Sequence, residues 1–426
     1  MDRLTVVDEI FLRTHRGMGT PIALQGLWRI PEAMEPTLLR AIHDRLRVGD
    51  LGRRVVRARV PGARRGWRPN TRSHPLDHTA GPLSEDAVLP WADTLGTGLD
   101  PEFGPGWRLS SAALHDTGTV VALTCSHALA DARGLIHAVA AALGDLGVDD
   151  RPEARVDPLH TPARTGTSAP SVLRRGTAVS DWGDARAQWS TIVNGTTRAL
   201  RRGIPTPPAT VAAESSLGRT VHSTLLTFDA AEWDTTAAAT GATPNSLFIH
   251  LVANILWETG FQHPRIAASL PVDTRDEPRV DNDLAMTEIA IDRADTPATV
   301  RDKARTAYLR RMSSPAGLPE QILQVLPDRW AYALSRGAGE RDILCSNIGT
   351  LPDVLRTVGG HHCDRVAARA IHPGLTEFPR TRLSGYFSRL GDTYTLALVS
   401  LACDRETLDA AIARACATAG LDAAPW

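Results

Sequence analysis

Apolar positions alternate loosely with polar ones through "PIALQGLWRI" (Pro21 to Ile30), a pattern that predicts a strand. In "MEPTLLRAIHDRLR" the spacing changes to the three-to-four-residue period of an amphipathic helix, carried by Leu38, Leu39, Ile42 and Leu46. "RRVVRARV" returns to strand character. Further on, "WRLSSAALH" and "TVVALTCSH" are two strand-like runs joined through "DTG" in the manner of a hairpin, and "ARGLIHAVAAAL" comes next as a helix. The first lobe therefore reads strand, helix, strand, hairpin, helix, with its end expected near residue 150.

Between residues 151 and 217 the pattern lapses into stretches rich in Pro, Ser, Thr and Arg around one helical segment, "DARAQWSTIVNGTTRALRR", which reads as an inter-lobe connection. A second lobe, 218 to 426, opens with the strand "TVHSTLLTFD" and the helix "PNSLFIHLVANILWETG". Strands "RIAASLPVD" and "AMTEIAI" come next, then helices over Thr299 to Met312 and Pro319 to Leu334. The strands "DILCSNIG", "RVAARAI", "LSGYFSR" and "TYTLALVSLA" and a helix from Glu406 to Gly420 complete it. The expectation is an α+β protein of two lobes, each a two-layer α/β sandwich.

Length supports two lobes, because 426 residues with 42% hydrophobic content exceed what a single core usually organises. The net charge of −1 gives no global field to attract nucleic acid. Lys303 is the only lysine and Asp302 precedes it, so no GxxxxGK[ST] phosphate loop exists; GxGxxG, GxSxG and HExxH are absent too. The five cysteines, Cys125, Cys345, Cys363, Cys403 and Cys416, form no CxxC pair, which disfavours a zinc knuckle or a disulfide framework. No run approaches the roughly 20 apolar residues of a membrane span, and the first residues lack a secretory cleavage pattern. A globular, cytoplasmic protein with no bound cofactor or metal is the expectation, with no nucleic-acid or membrane partner and a monomeric state.

Candidate chemistry gathers in "TCSHALADARGL", where His127 stands four residues before Asp131 between a strand and a helix. One interpretation is structural: His127 closes a buried strand and Asp131 caps the next helix. The other is catalytic: a histidine in that turn can take a proton from a hydroxyl or amine attacking a carbonyl, since its unperturbed pKa lies near working pH. Asp131 could not readily orient that ring and cap a helix at once, so its carboxylate is expected to fix the turn through a cationic partner. Cys125 is not expected to act as a nucleophile.

"SHALADARGL" resembles the HHxxxDG segment of the chloramphenicol acetyltransferase-like superfamily, which includes nonribosomal peptide condensation domains, polyketide-associated acyltransferases and plant-type acyltransferases. Other segments resemble it in the same order: "ATPNSLFIHLVANIL" the helix before the P-V-D-x-R strand end, "LPVDTR" (Leu270 to Arg275) that strand end, "CSNIGTLPD" the S-N-x-G segment, and "LSGYFSRLGDTYTLALVS" the paired C-terminal strands. The resemblance covers almost the whole chain and matches one stand-alone unit. It implies two similar halves forming a V around a central tunnel. His127 would be the general base, or position the nucleophile, and Asp131 would form a structural salt bridge, here to Arg275. It also implies acyl transfer from a thioester, presented on phosphopantetheine by coenzyme A or by an acyl or peptidyl carrier protein, to a hydroxyl or amine of a small-molecule acceptor in natural-product biosynthesis. The alternative is an inactive relative that binds carrier-tethered substrate and recruits partner enzymes.

Ser126 stands where the motif has its first histidine, and Ala132 where it has glycine. Both are candidate substrate contacts. Glycine there would let the backbone N–H approach the donor carbonyl, whereas alanine adds a methyl group and disfavours positive φ. Ser346 and Asn347 are candidate hydrogen-bond donors to an oxyanion, or else simply close a turn. In "RRVVRARVPGARRGWRP" seven arginines lie between Arg53 and Arg68; Arg64 and Arg65 are candidates for docking donor phosphates or an acidic carrier, unless the run is only a solvated edge. "GGHHCD" is not expected to hold a metal, because adjacent histidines on a strand face opposite ways.

Overall fold

The computed structural model describes residues 2–15, 21–148, 180–202, 221–309, 320–328, 330, 331, 340–375 and 378–426. Two sheets organise it. The first contains β1 (Ala23–Ile30), β4 (Asp77–Leu83), β5 (Trp107–Leu114), β6 (Thr119–Ser126) and β13 (Arg365–Ile371), in the spatial order β13-β1-β6-β5-β4. β5 and β6 are the expected antiparallel hairpin, turned at Asp116–Thr117–Gly118, where Asp116 accepts a bond from Gly118 N and Thr117 adopts φ 71°. All eight residues of β6 are buried, so the strand has no solvent face and the chain beyond Ser126 emerges from the centre of the lobe. α2 (Pro36–Val48) and α4 (Ala132–Val148) pack against each other in this lobe, α2 through Leu39, Ile42 and Leu46.

The second sheet contains β7 (His222–Asp229), β8 (Arg265–Asp273), β9 (Leu284–Asp292), β10 (Ile343–Thr350), β14 (Leu383–Leu390), β15 (Thr393–Ser400) and β16 (Ala424–Pro425), in the order β16-β7-β15-β14-β10-β8-β9. α6 (Ala230–Ala239), α7 (Pro244–Glu258), α8 (Pro297–Leu309) and α10 (Arg405–Ala419) accompany it. α7 begins where Thr243 and Ser246 form a reciprocal capping box, and its interior is apolar on nearly every face, as befits a helix enclosed by α6, α8 and α10. α10 starts at the N-cap Asp404 and stops at Gly420, whose φ of 65° is the left-handed conformation that ends helices. Short elements complete the description: β2 (Arg53–Val56) with β3 (Gly66–Pro69), β11 (Thr357–Val358) with β12 (His361–His362), and α9 (Ile322–Val325).

The lobe boundary drawn from sequence needs one correction. β13 belongs by position to the second lobe but pairs antiparallel with β1 from Ala23–Ile371 to Arg29–Arg365, so it completes the first sheet. Alternation in "RVAARAI" identifies a strand, but a period of two carries no information about which sheet the strand joins. The connection is not a bare linker either: its helix α5 (Asp181–Arg202) lies on the first lobe through Asp181 to Arg3, at 2.6 Å, and Asp184 to Arg64, at 2.7 Å.

Among the longer elements, α1 (Val6–His15), α3 (Glu85–Thr94), α6 and β4 were not evident in the sequence. α1 escaped because its inward face is charged, with Asp8, Glu9 and Arg13 buried beside Leu12. The helix expected over 319–334 lies partly outside the described residues; within them only α9 is helical over at least one full turn, and residues 310–312 of the preceding helix also lie outside. Among the described residues no helix is long and apolar enough to cross a membrane.

Candidate active site

The chain leaves β6 in a turn built by Ser126. Its carbonyl accepts from Leu129 N at 2.9 Å, its hydroxyl accepts from Ala128 N at 3.3 Å, and His127 N donates to Ile22 O at 3.1 Å. Ala128, Leu129 and Ala130 are buried behind the turn, which leaves His127 half-buried at its rim. Asp131 then starts α4 as its N-cap, with Oδ1 accepting from Gly134 N at 2.9 Å. Its other oxygen, Oδ2, accepts from Arg275 Nη2 at 2.5 Å and from Asp283 N at 3.0 Å. Helix capping and the ion pair therefore coexist on one carboxylate, and a different residue orients the imidazole. Ala132 is the first residue of α4 and has no positive φ, so its methyl group introduces no backbone strain.

Residues 274–283, between β8 and β9, reach from the second lobe to this turn. Arg275 is held by Asp273 as well as Asp131. Asp281 pairs with Arg53 Nη1 at 2.5 Å, and Arg53 lies over the Trp67 ring while also donating to Leu129 O. Val280 presses its backbone against Gly134: a Cβ on that glycine would stand 2.3 Å from Val280 O and 2.8 Å from its carbonyl carbon. Only glycine lets the two backbones approach this closely. Gly134→Ala should therefore displace the connection and lower stability by about 1 to 3 kcal/mol, as overpacking does; a wild-type denaturation midpoint would show that the lobes have slack there.

Asn282, in the same connection, touches the catalytic candidate. Its Oδ1 lies 3.0 Å from His127 Nδ1, while its Nδ2 donates to His127 O at 2.9 Å and to Asp8 Oδ1 at 2.8 Å. Asp8 also accepts from Asn282 N at 3.1 Å and, through Oδ2, from Thr5 N at 2.8 Å. Phe11 stacks on the imidazole with ring centres 3.5 Å apart and planes 12° from parallel. Burial pushes the Asp8 carboxyl up to about 6, against the opposing pull of Arg53. Burial likewise lowers the His127 pKa from its ordinary value, despite the nearby Asp131 and the Asn282 bond, so the ring favours its neutral form. Neither Asn282 nor Asp8 stood out in the sequence. A local signal existed for Asp8, the T-x-x-D spacing of Thr5 and Asp8 before an apolar run, which marks the start of a helix but says nothing of a histidine far along the chain.

The remaining candidates fall elsewhere. Ser126 is buried beside His127, with its hydroxyl 3.3 Å from His15 Nδ1. His15 and Ile22 line a cavity of about 230 Å³ with Gly96, Thr97, Leu99 and Pro373, so open space adjoins the turn on the Ser126 side. Asn347 uses its amide within the second lobe, donating to Asn245 Oδ1 at 2.9 Å and accepting from Gly349 N at 2.9 Å across the bulge in β10. Among the described residues no hydrogen bond links Ser346 or Asn347 to His127, and Asn347 lies at the bulge inside β10 rather than at its end. Arg64 is engaged with both oxygens of Asp184, and Arg65 with Glu9 at 2.7 Å and Asp328 at 3.1 Å. Their guanidinium groups tie α1, α5 and the segment after α9 together, while Arg57, Arg59 and Arg68 of the same run stay exposed. Cys125 is buried, and burial pushes its thiol up to about 12, leaving no thiolate to act as a nucleophile.

No family model matches the sequence, and no curated protein matches it. The fold has clear counterparts among solved structures. The first condensation domain of the CDA synthetase superposes with a TM-score of 0.59 at 15% identity, over 98% of this chain and 94% of that one. Polyketide synthase associated protein 5 from Mycobacterium tuberculosis gives 0.57 at 13%, over 98% of both chains. The nonribosomal peptide synthetase FmoA3 gives 0.55 at 17%, and there the chain spans 42% of the larger protein. The protein thus has the condensation-domain fold of two chloramphenicol acetyltransferase-like halves.

Proposed function

We propose that the protein is an acyltransferase of the condensation type, moving an acyl group from a phosphopantetheine thioester, on coenzyme A or a carrier protein, to a hydroxyl or amine of a small acceptor. The observation that carries this is the geometry of His127: Nδ1 is engaged by Asn282 at 3.0 Å, so the Nε2 lone pair is the one left to take a proton, and burial favours the neutral ring. In the step proposed, the acceptor O–H or N–H gives its proton to Nε2 as its heteroatom attacks the thioester carbonyl. The tetrahedral intermediate then expels the thiolate as the C–S bond breaks, and the thiolate takes the proton back from Nε2. Product and free thiol leave, and the histidine is again neutral. The thioester donor is supported by the likeness in fold to condensation domains.

Acceptor-dependent release of free thiol from short acyl-pantetheine and acyl-coenzyme A donors tests this. Carrier binding with background transfer on every thioester would instead make the protein a non-catalytic, carrier-binding relative. The pH profile is set by the same site. A base whose pKa lies below the ordinary 6.5 is active when deprotonated, so kcat/KM should fall as pH drops through a midpoint below that value and stay level above it. Asp8, pushed up to about 6, titrates on the same side, so the acid limb belongs to the pair. A limb centred well above 6.5 would rule out His127 as the base.

A further inference from the structure

We propose that Asn282 is a positioning residue that sets the tautomer of His127, placing the ring proton on Nδ1 and the lone pair on Nε2, with Asp8 holding the amide in the orientation required. The inference deepens the acyl-transfer reading of the same site and rests on it for its catalytic consequence, but its structural content can be tested without substrate.

An amide side chain can point either way, so its orientation must follow from its partners. Here the partners decide. One end of the Asn282 amide faces two oxygens, Asp8 Oδ1 at 2.8 Å and His127 O at 2.9 Å. Neither carries a hydrogen when the carboxyl is ionised, so this end must be the NH2 group; a flipped amide would set its own oxygen against a carboxylate and a carbonyl in a buried place. Asp8 is in turn kept as an acceptor by Thr5 N and Asn282 N, which occupy both of its oxygens with N–H donors. The other end of the amide is then Oδ1, and at 3.0 Å from His127 Nδ1 it can only accept. The imidazole answers by carrying its proton on Nδ1. The carbonyl of His127 itself also lies near the ring and, with two lone pairs, can accept from the same Nδ1–H as well as from Asn282 Nδ2, so both acceptors favour the proton on Nδ1.

Asp8 and His127 come from the first lobe and Asn282 from the second, so this positioning contact exists only while the lobes are joined. This distinguishes Asn282 from Asp131, which holds the turn without touching the ring.

The test is nitrogen NMR of the protein labelled in its histidine rings, with the His127 signals assigned by their loss in His127→Asn. Wild type should show a neutral His127 protonated on Nδ1. Asn282→Leu, similar in volume but without polar atoms, should bring in the Nε2-protonated form and lower kcat by about tenfold or more with little change in KM. An Nε2-protonated ring in wild type overturns the proposal even if no variant folds, and so does an Asn282→Leu protein whose ring keeps Nδ1–H alone. A tautomer that shifts as expected while acyl transfer is undetectable in every form, wild type included, would leave the positioning role standing and count against the acyl-transfer function instead.

Discussion

His127→Ala should lower acyl transfer by about a hundredfold or more, the usual contribution of a positioned general base, while the protein stays folded. The substitution removes little else. The Phe11 ring loses its stacking partner and Asn282 Oδ1 loses its donor, but Asn282 Nδ2 keeps both acceptors, because one is Asp8 and the other is the main-chain carbonyl of residue 127, which alanine retains. One unsatisfied acceptor costs about 1 to 3 kcal/mol, less than the stability of an ordinary domain. Turnover and the denaturation midpoint should therefore separate, with a large loss in the first and a modest shift in the second. Full activity in the alanine protein would end the general-base assignment.

The parts of this site that could be read from sequence share one property: they lie in short segments whose residue types state their own geometry. A strand ending in Ser-His, a helix beginning at Asp131, and Arg275 just after a strand end are of that kind. Asn282, Asp8 and Gly134 are not. Asn282 is one polar residue in "RVDNDL", and nothing in that string says that it faces a histidine 155 positions earlier. Gly134 reads as an ordinary glycine in a helix until Val280 is seen against it. The fold divides in the same way. Periodicity located most strands and helices, but it failed for α1, whose buried side carries Asp8, Glu9 and Arg13, and it could not place β13 in the first sheet. The arginine run shows a related limit: its charge density names no partners, and Arg53, Arg64 and Arg65 each meet a carboxylate brought from a distant segment while Arg57, Arg59 and Arg68 stay exposed. In each failure the partner is supplied by tertiary structure, and local pattern carries no record of it.

Asp131→Ala should harm the fold far more than His127→Ala does, although the two residues share one turn. The carboxylate and its partner are both nearly enclosed, with side chains 6% and 7% exposed, and the substitution leaves the Arg275 guanidinium facing an empty place between the lobes. Losing one member of such a pair costs about 3 to 5 kcal/mol, chiefly because the other charge stays buried without its counter-ion. Asp273 tempers this, since it still holds Nη1 of Arg275 at 2.7 Å. The N-cap of α4 and the acceptor for Asp283 N disappear as well, the first worth about 1 kcal/mol. These losses fall on the elements that carry Asn282 to the ring, so part of any drop in activity should reflect a disturbed site and part a smaller folded fraction. Asp131→Asn separates the contributions: its amide oxygen can still cap α4, but the ion pair is gone, so its midpoint should lie between wild type and Asp131→Ala. The double variant Asp131→Ala with Arg275→Leu should be less damaged than the sum of the singles, because no stranded charge remains. Denaturation of wild type, Asp131→Ala, Asp131→Asn, Arg275→Leu, the double variant and His127→Ala decides the matter, and an Asp131→Ala midpoint no lower than that of His127→Ala would show that the pair does not hold the lobes together.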